Sequence, residues 1–358
     1  MSPPSPGAPT LTAAALPPRL ALPTPTVRRL QVEVTGACNL ACRMCLVRYR
    51  PALDRETAAF PLDRFEALLD RLPALEEVTL QGLGEPLLHP DLPGMVAAAS
   101  RRGLRVGFNT NGTLLTHARI DALLDAGLSW VHVSVDGATA ATFERIRDGA
   151  RLRQVVRNLR RLVEHRDARG GAPPHVQLNT VLMRSNLAEL PDVVRLAADI
   201  GVDRMWLQAL SHDFSDTGGD VTYVAIRGFT ETEAVWGDGQ GEAGPVSEAR
   251  RVAAELGLDL RLPDQPDPPA DGSPDPDTTG EPVLPCDWPW TGMYVTHDGK
   301  VQPCCMVMGD DRVVLGDLRT EQVDDVWRGR AYEEFRRALC SDEPPDVCRG
   351  CSWYRRVF

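Results

Sequence analysis

The sequence predicts an α/β fold: a partial (β/α)6 barrel over residues 27–261, then a small C-terminal domain of one β-hairpin plus a helix over residues 286–358. Three observations carry this. Between Val27 and about Arg261, short apolar runs alternate with longer helical periods, the pattern of βα units on a parallel sheet. From Pro263 to Pro285, Pro and Asp dominate and the hydrophobic period disappears, so residues 262–285 read as a linker. Beyond it, Asp298-Gly299 separates two short apolar strands, a strong hairpin signal, and the chain becomes rich in cysteine.

Taken in order, residues 1–26 hold prolines at positions 3, 4, 6, 9, 17, 18, 23 and 25, with neither a basic start nor a long apolar core. They read as a disordered extension, not a signal peptide or membrane span. Strands are expected at Arg29 to Val34, Glu77 to Gln81, Arg105 to Asn109, Trp130 to Val135, Val176 to Leu182 and Arg204 to Gln208. Pro61 is placed as the first residue of a helix that runs through Phe65, Leu68, Leu69 and Leu72. After the linker come strands at Gly292 to Thr296 and Lys300 to Val301, then a helix around Val323 to Leu339 carrying Val326, Trp327, Tyr332 and Phe335.

A chain of 358 residues is long enough for one large and one smaller core. Its net charge of -11 argues against nucleic acid or an anionic membrane as partner. Nine cysteines, an odd number clustered towards the two ends, suit thiolate ligands in a reducing compartment better than a disulfide framework, so a cytoplasmic protein is expected. Between Glu144 and Arg169, nine arginines face four acids; this reads as a solvated helix face, with an anion-binding surface as the alternative.

The chemistry concentrates in Cys38-Asn39-Leu40-Ala41-Cys42-Arg43-Met44-Cys45, directly after the first strand. Three thiolates on one loop leave a metal centre one ligand short. An iron-sulfur cluster held this way keeps one iron open to a substrate or cofactor, whereas a zinc knuckle needs a fourth ligand such as His89. In parallel α/β sheets, ligands gather at the carboxyl ends of the strands. There the chain places Gly84-Glu85-Pro86, Asn109-Thr110-Asn111-Gly112 and Ser134-Val135-Asp136-Gly137, with Asn179 on the fifth strand and Gln208 ending the sixth. Asp136 is equally readable as a helix cap, and Asn111-Gly112 as a turn. The stretch Ser211 to Gly244 lies over the expected mouth and reads as a lid carrying His212 and Asp213, either of which can handle protons.

At these residues the chain resembles the radical S-adenosylmethionine (radical SAM) superfamily, whose signature is C-x3-C-x2-C. Cys38, Cys42 and Cys45 fit it, while Met44 departs from the aromatic residue usual before the third cysteine. The resemblance implies a 4Fe-4S cluster on these three thiolates with AdoMet on the open iron. It further implies that Gly84, Glu85 and Pro86 bind the AdoMet amino group, and that Asn109, Ser134, Asp136, Asn179 and Gln208 supply ribose or substrate contacts. In the C-terminal domain, Cys286, Gly299 and Cys304 fit C-x(9–15)-G-x4-C, and Cys348 and Cys351 form a C-x2-C pair. This is similar to the twitch domain, the shortened SPASM form. It implies one auxiliary 4Fe-4S cluster on Cys286, Cys304, Cys348 and Cys351, where zinc is the alternative.

The activity so implied is formation of a 5'-deoxyadenosyl radical that abstracts hydrogen from carbon, with a flavodoxin- or ferredoxin-type protein as reductant. The layout resembles the alcohol dehydrogenases of aminocyclitol and aminoglycoside (antibiotic) biosynthesis. The first expectation is therefore two-electron oxidation of a small hydroxylated molecule to a ketone. Epimerisation, with Cys305 or Cys340 returning hydrogen, is the second, against a buried free thiol in each case. Modification of a ribosomally made peptide is the third, disfavoured by the few residues before the first strand.

Overall fold

The computed structural model describes residues 25–49, 59–171, 173–235, 244–262, 286–309 and 312–355. The extension up to residue 24 and the linker from 263 to 285 lie outside the described residues, as does part of the expected lid.

Ten strands form a single sheet: β1 (Arg29–Val32), β2 (Glu77–Leu80), β3 (Arg105–Thr110), β4 (Trp130–Ser134), β5 (His175–Val181), β6 (Arg204–Gln208), β7 (Asp259–Arg261), β8 (Gly292–Val295), β9 (Lys300–Gln302) and β10 (Gly316–Asp317). Their order is β10-β9-β8-β1-β2-β3-β4-β5-β6-β7. The first seven run parallel, joined by helices, as the alternating apolar and helical periods require. All six expected barrel strands are present, and β7 adds a seventh at the edge.

Side chains alternate across a strand, so each barrel strand has two faces. Leu30, Val32, Val78, Leu80, Val106, Phe108, Val131, Val133, Val176, Leu178, Met205 and Leu207 form one face, fully buried in one core with helix residues Phe65, Leu68, Val155 and Leu159. Each such side chain contributes about 1.5–3 kcal/mol by leaving water. The other face carries Gln31, Thr79, Asn109, His132, Ser134, Gln177, Asn179, Trp206 and Gln208. The register sets Ser134 against Asn179, and Asn179 against Trp206. The inner surface is thus polar, and it leads to the carboxyl ends of the strands.

Three details depart from the expectation. Pro61 is the residue before the helix Leu62–Asp70, with extended backbone at φ -64° and ψ 137°. The helix expected around Val323 to Leu339 is two, Val323–Trp327 and Arg330–Leu339. Between them lies Gly329, where a Cβ would sit 2.5 Å from the Asp325 carbonyl oxygen. Most consequential, the C-terminal hairpin extends the barrel sheet: β8 lies parallel to β1, pairing Arg29 with Gly292 and Val32 with Val295. Arg29 fixes this edge, bonding Asp287 at 2.8 Å and Thr291 at 2.5 Å with its guanidinium over Trp288.

Candidate cluster sites

The cysteine loop follows β1 and is held from three sides by the ends of the next strands. After β2, Glu85 N–H donates to the Ala37 carbonyl at 2.8 Å. Gly84 permits this approach, because a Cβ there would sit 2.0 Å from the Thr35 carbonyl oxygen. After β3, Asn111 Nδ2 donates to Asn39 Oδ1 and Asn39 Nδ2 to Thr113 Oγ1, both at 2.9 Å. After β4 and its helix, the carbonyls of Ile146 and Asp148 accept from Arg43 N at 2.9 Å and Ala41 N at 3.0 Å. Asn111, read as a turn residue, thus grips the loop.

Burial pushes the Cys38 thiol up to about 11 and the Cys45 thiol up to about 12, and moves Cys42 the same way. Cys42 raises both neighbours further, as expected for three sulfurs facing one another. Such a group is unfavourable as free thiolates and fits a cationic metal centre, which reverses that cost. Among the described residues no three His, Cys, Asp or Glu groups close around one point as a single ion requires. The zinc alternative also lacks its fourth ligand: His89 Nε2 lies 3.0 Å from the Phe60 carbonyl and its Nδ1 accepts from Asp91 N at 3.1 Å.

Glu85 is buried at the ends of β2 and β3. Its Oε1 accepts from Thr110 Oγ1 at 2.6 Å and Leu87 N at 3.1 Å, and Oε2 accepts from Asn111 N at 2.8 Å. Burial raises its pKa while these donors oppose the rise. Among the described residues Oε2 takes one donor, which leaves a lone pair for a further N–H. Pro86 opens the short turn that follows. Asn109 and Gln208 are half-buried on the polar face; Asn179 is buried and its Oδ1 accepts from Gln177 Nε2 at 2.7 Å.

Asp136 is not a helix cap. Thr139 caps the helix Ala140–Ile146, accepting from Thr142 N at 3.2 Å. Asp136 is fully buried, its Oδ1 accepting from Val181 N at 2.8 Å and its Oδ2 from Arg147 Nε at 2.6 Å. With both oxygens so engaged, a ribose contact would have to share them. The arginine run is likewise not a single solvated face, since Arg147 is mostly covered against Asp136 and Arg166 is buried on Asp203. Arg147 was hidden from sequence reading by its many neighbours. Its one distinguishing sign is its place beyond the last turn of Ala140–Ile146, off the solvated helix.

The second set of cysteines gathers where the C-terminal unit meets the barrel. Cys304 is raised well above the ordinary thiol range, by burial first and then by Cys305, Cys286, Cys351 and Cys348, so the other three expected ligands are among its charged neighbours. Gly299, at φ 91°, makes the turn that brings Cys304 back. The loop after β6 grips the C-x2-C pair: Asp213 N donates to the Gly350 carbonyl at 3.0 Å and Ser352 N to the Ser211 carbonyl at 3.1 Å.

His212 and Asp213, expected as proton-handling groups on a lid, are both engaged in fixed contacts here. His212 is buried, with Nε2 2.7 Å from the Val347 carbonyl and Nδ1 accepting from Phe214 N at 2.7 Å. That pattern assigns the Nε2–H tautomer. Burial, then Arg312, hold the ring neutral by lowering its pKa. Asp213 accepts from Ser215 N and Oγ and from Arg355. Both residues are fastenings of the second cysteine set. Of the two spare thiols, Cys305 is pushed up to about 11 by burial, with Cys351 adding to the rise. Cys340 ends the helix Arg330–Leu339, and no described contact joins it to a barrel strand.

Comparison with known proteins agrees with this geometry. The radical SAM superfamily profile matches residues 32–204, and the SPASM iron-sulfur cluster-binding domain profile matches residues 286–352. Over 330 residues the chain is 26% identical to the tungsten-containing aldehyde ferredoxin oxidoreductase cofactor-modifying protein of Pyrococcus furiosus, covering 87% of this chain and 83% of that protein. It is 28% identical to the PqqA peptide cyclase of Gluconobacter oxydans, covering 93% and 84%. The crystal structure of Streptococcus suis SuiB bound to precursor peptide SuiA superposes with a TM-score of 0.64 at 16% identity, covering 92% of this chain and 70% of that one, which shows the shared fold. These names replace the narrower likeness to aminocyclitol dehydrogenases. The cofactors that follow are a 4Fe-4S cluster with AdoMet and additional auxiliary iron-sulfur chemistry in the C-terminal domain. No helix among the described residues is long and apolar enough to cross a membrane. With its three-cysteine loop at the carboxyl end of β1 and a second cysteine set docked on the same sheet, the chain carries a radical SAM domain followed by a C-terminal SPASM domain.

Proposed function

We propose that this enzyme oxidatively modifies a residue within a peptide, with Cys38, Cys42 and Cys45 holding the AdoMet-binding cluster and Cys286, Cys304, Cys348 and Cys351 holding one auxiliary cluster. The observation that supports the redox part is the pairing of β8 with β1, which joins the strand before the three-cysteine loop to the hairpin that leads to Cys304. The peptide reading is supported by likeness to PqqA peptide cyclase along 93% of the chain.

When bound, the cluster and AdoMet supply a carbon radical that takes one hydrogen atom from the substrate. The chain's residues do the rest. Glu85 Oε2 offers its remaining lone pair to the AdoMet ammonium, and Gly84 keeps the backbone close. Asn109, Ser134, Asn179 and Gln208 present polar atoms that orient ribose or substrate. Cys286, Cys304, Cys348 and Cys351 would hold a fully cysteine-ligated cluster, which would supply a one-electron acceptor there. A second reading, oxidation of a small hydroxylated molecule, is supported by the polar lining of Gln31, Thr79, Asn109 and Gln177.

The test is anaerobic turnover of the reconstituted enzyme with AdoMet and a flavodoxin- or ferredoxin-type reductant. It compares a synthetic peptide library with a panel of aminocyclitols and sugars. Peptide-stimulated release of 5'-deoxyadenosine, with products lacking two hydrogens, is the expected result. Stimulation by the hydroxylated panel alone would replace this reading with the second.

A further inference from the structure

Arg147 enters the first site from the segment that holds the cysteine loop. Its neighbours Ile146 and Asp148 accept the backbone N–H groups of Arg43 and Ala41, so its Cα is tied to the loop on both sides. Its side chain is 11% exposed. Nε donates to Asp136 Oδ2 at 2.6 Å, and Nη1 lies 3.9 Å from Cys42 Sγ, within reach of a hydrogen bond to sulfur. Asp136 is itself fixed by Val181 N at 2.8 Å, and Asn186 Nδ2 donates to its carbonyl at 3.1 Å. The guanidinium therefore cannot swing away. The pair is a fixed dipole in a water-poor setting, positive end towards sulfur, where each charge counts for more than in water.

We propose that Arg147, oriented by Asp136, is a positioning residue that sets the reduction potential of the cluster held by Cys38, Cys42 and Cys45, and that the two side chains act as opposed charges on it. The inference rests on the assignment of that cluster to these three cysteines. A positive charge and an N–H donor beside a ligating sulfur stabilise the reduced, more negative state, and a carboxylate destabilises it.

The test uses the full chain with both clusters reconstituted anaerobically, followed by redox titration monitored by EPR, with the C-terminal cluster as internal reference. At the wild-type midpoint of the first cluster, Arg147→Met is expected to lower the reduced-to-oxidised ratio about tenfold, equivalent to about 59 mV for one electron. Asp136→Asn is expected to raise it several-fold, the double variant to lie between, and Arg147→Lys to stay within about threefold of wild type. Opposite signs distinguish charge from a purely structural role, which would shift every variant the same way or none. Same-sign shifts, or an unchanged potential in Asp136→Asn, overturn the proposal, and that variant decides the matter if Arg147→Met does not load. Cys42→Ala tests the assignment separately: retention of both clusters defeats the site, whereas loss of one cluster without the sign pattern defeats only the role of Arg147.

Discussion

His212 Nε2 donates to the Val347 carbonyl across 2.7 Å, joining the loop after β6 to the turn that carries Cys348 and Cys351. On its other side the same ring accepts the Phe214 N–H at 2.7 Å. His212→Leu leaves both buried backbone groups without this partner, at a cost of about 1–3 kcal/mol each. The expected outcome is selective: iron at the C-terminal site falls and amides 347–352 exchange faster, while the first cluster still loads. Iron and sulfide analysis with hydrogen exchange checks this. Equal loading of both sites in the variant would mean that the clasp is dispensable.

Gly84 tests the opposite end of the enzyme. A methyl group there meets the Thr35 carbonyl at 2.0 Å and the Ala37 carbonyl at 2.7 Å, both backbone atoms that do not yield cheaply. Gly84→Ala should push the cysteine loop off β2, reduce first-cluster iron by more than half and abolish AdoMet cleavage. Gly228, inside the helix Val221–Glu233, has nothing within 4 Å, so Gly228→Ala should leave both clusters intact and raise stability by roughly 0.5–1 kcal/mol. Thermal melts of the two variants should move in opposite directions.

Adjacent Cys304 and Cys305 are expected to behave differently. Cys304 is raised by Cys286, Cys348 and Cys351 together, whereas Cys305 is raised by Cys351 alone among them. Cys304→Ala should remove one cluster from the Mössbauer spectrum, and Cys305→Ala should retain both. If Cys305 returns hydrogen to a substrate radical, its variant would cleave AdoMet normally yet yield altered product. Unchanged product assigns it to packing.

Much of this was legible in the sequence. Strand positions follow from alternating apolar residues such as Leu30, Val32, Val78 and Leu80, a local pattern, and the cysteine spacings are local too. What was not legible depends on pairing between distant segments. Val32 and Val295 are as strand-like as any pair of valines, and nothing local says that β8 will lie beside β1. Arg147 looks like its exposed neighbours until Asp136 is seen to receive it. His212 and Asp213 have the chemistry of acid–base catalysts, and only the packing of residues 347–355 against them reveals a clasp.

His132 gives a pH prediction with a definite sign. On the inner face of β4, stacked on Trp130 at 4.4 Å between ring centroids, it is lowered to about 3 by burial, with His175 and Arg204 adding to the effect. Unfolded, the same ring titrates near 6.5, so the unfolded chain binds more protons at every pH between about 3 and 6.5. Its contribution is fully present above pH 6.5 and is lost as the pH falls towards 3. At pH 5.5 the loss is about 1.4 kcal/mol for this one residue. Denaturant midpoints of the anaerobic holoenzyme between pH 7.5 and 5.5 should therefore drop, and His132→Gln should flatten that drop by about this amount. A variant whose midpoint falls as steeply as wild type would place the acid sensitivity elsewhere, with buried His212 and His89 the next groups to replace because burial lowers both.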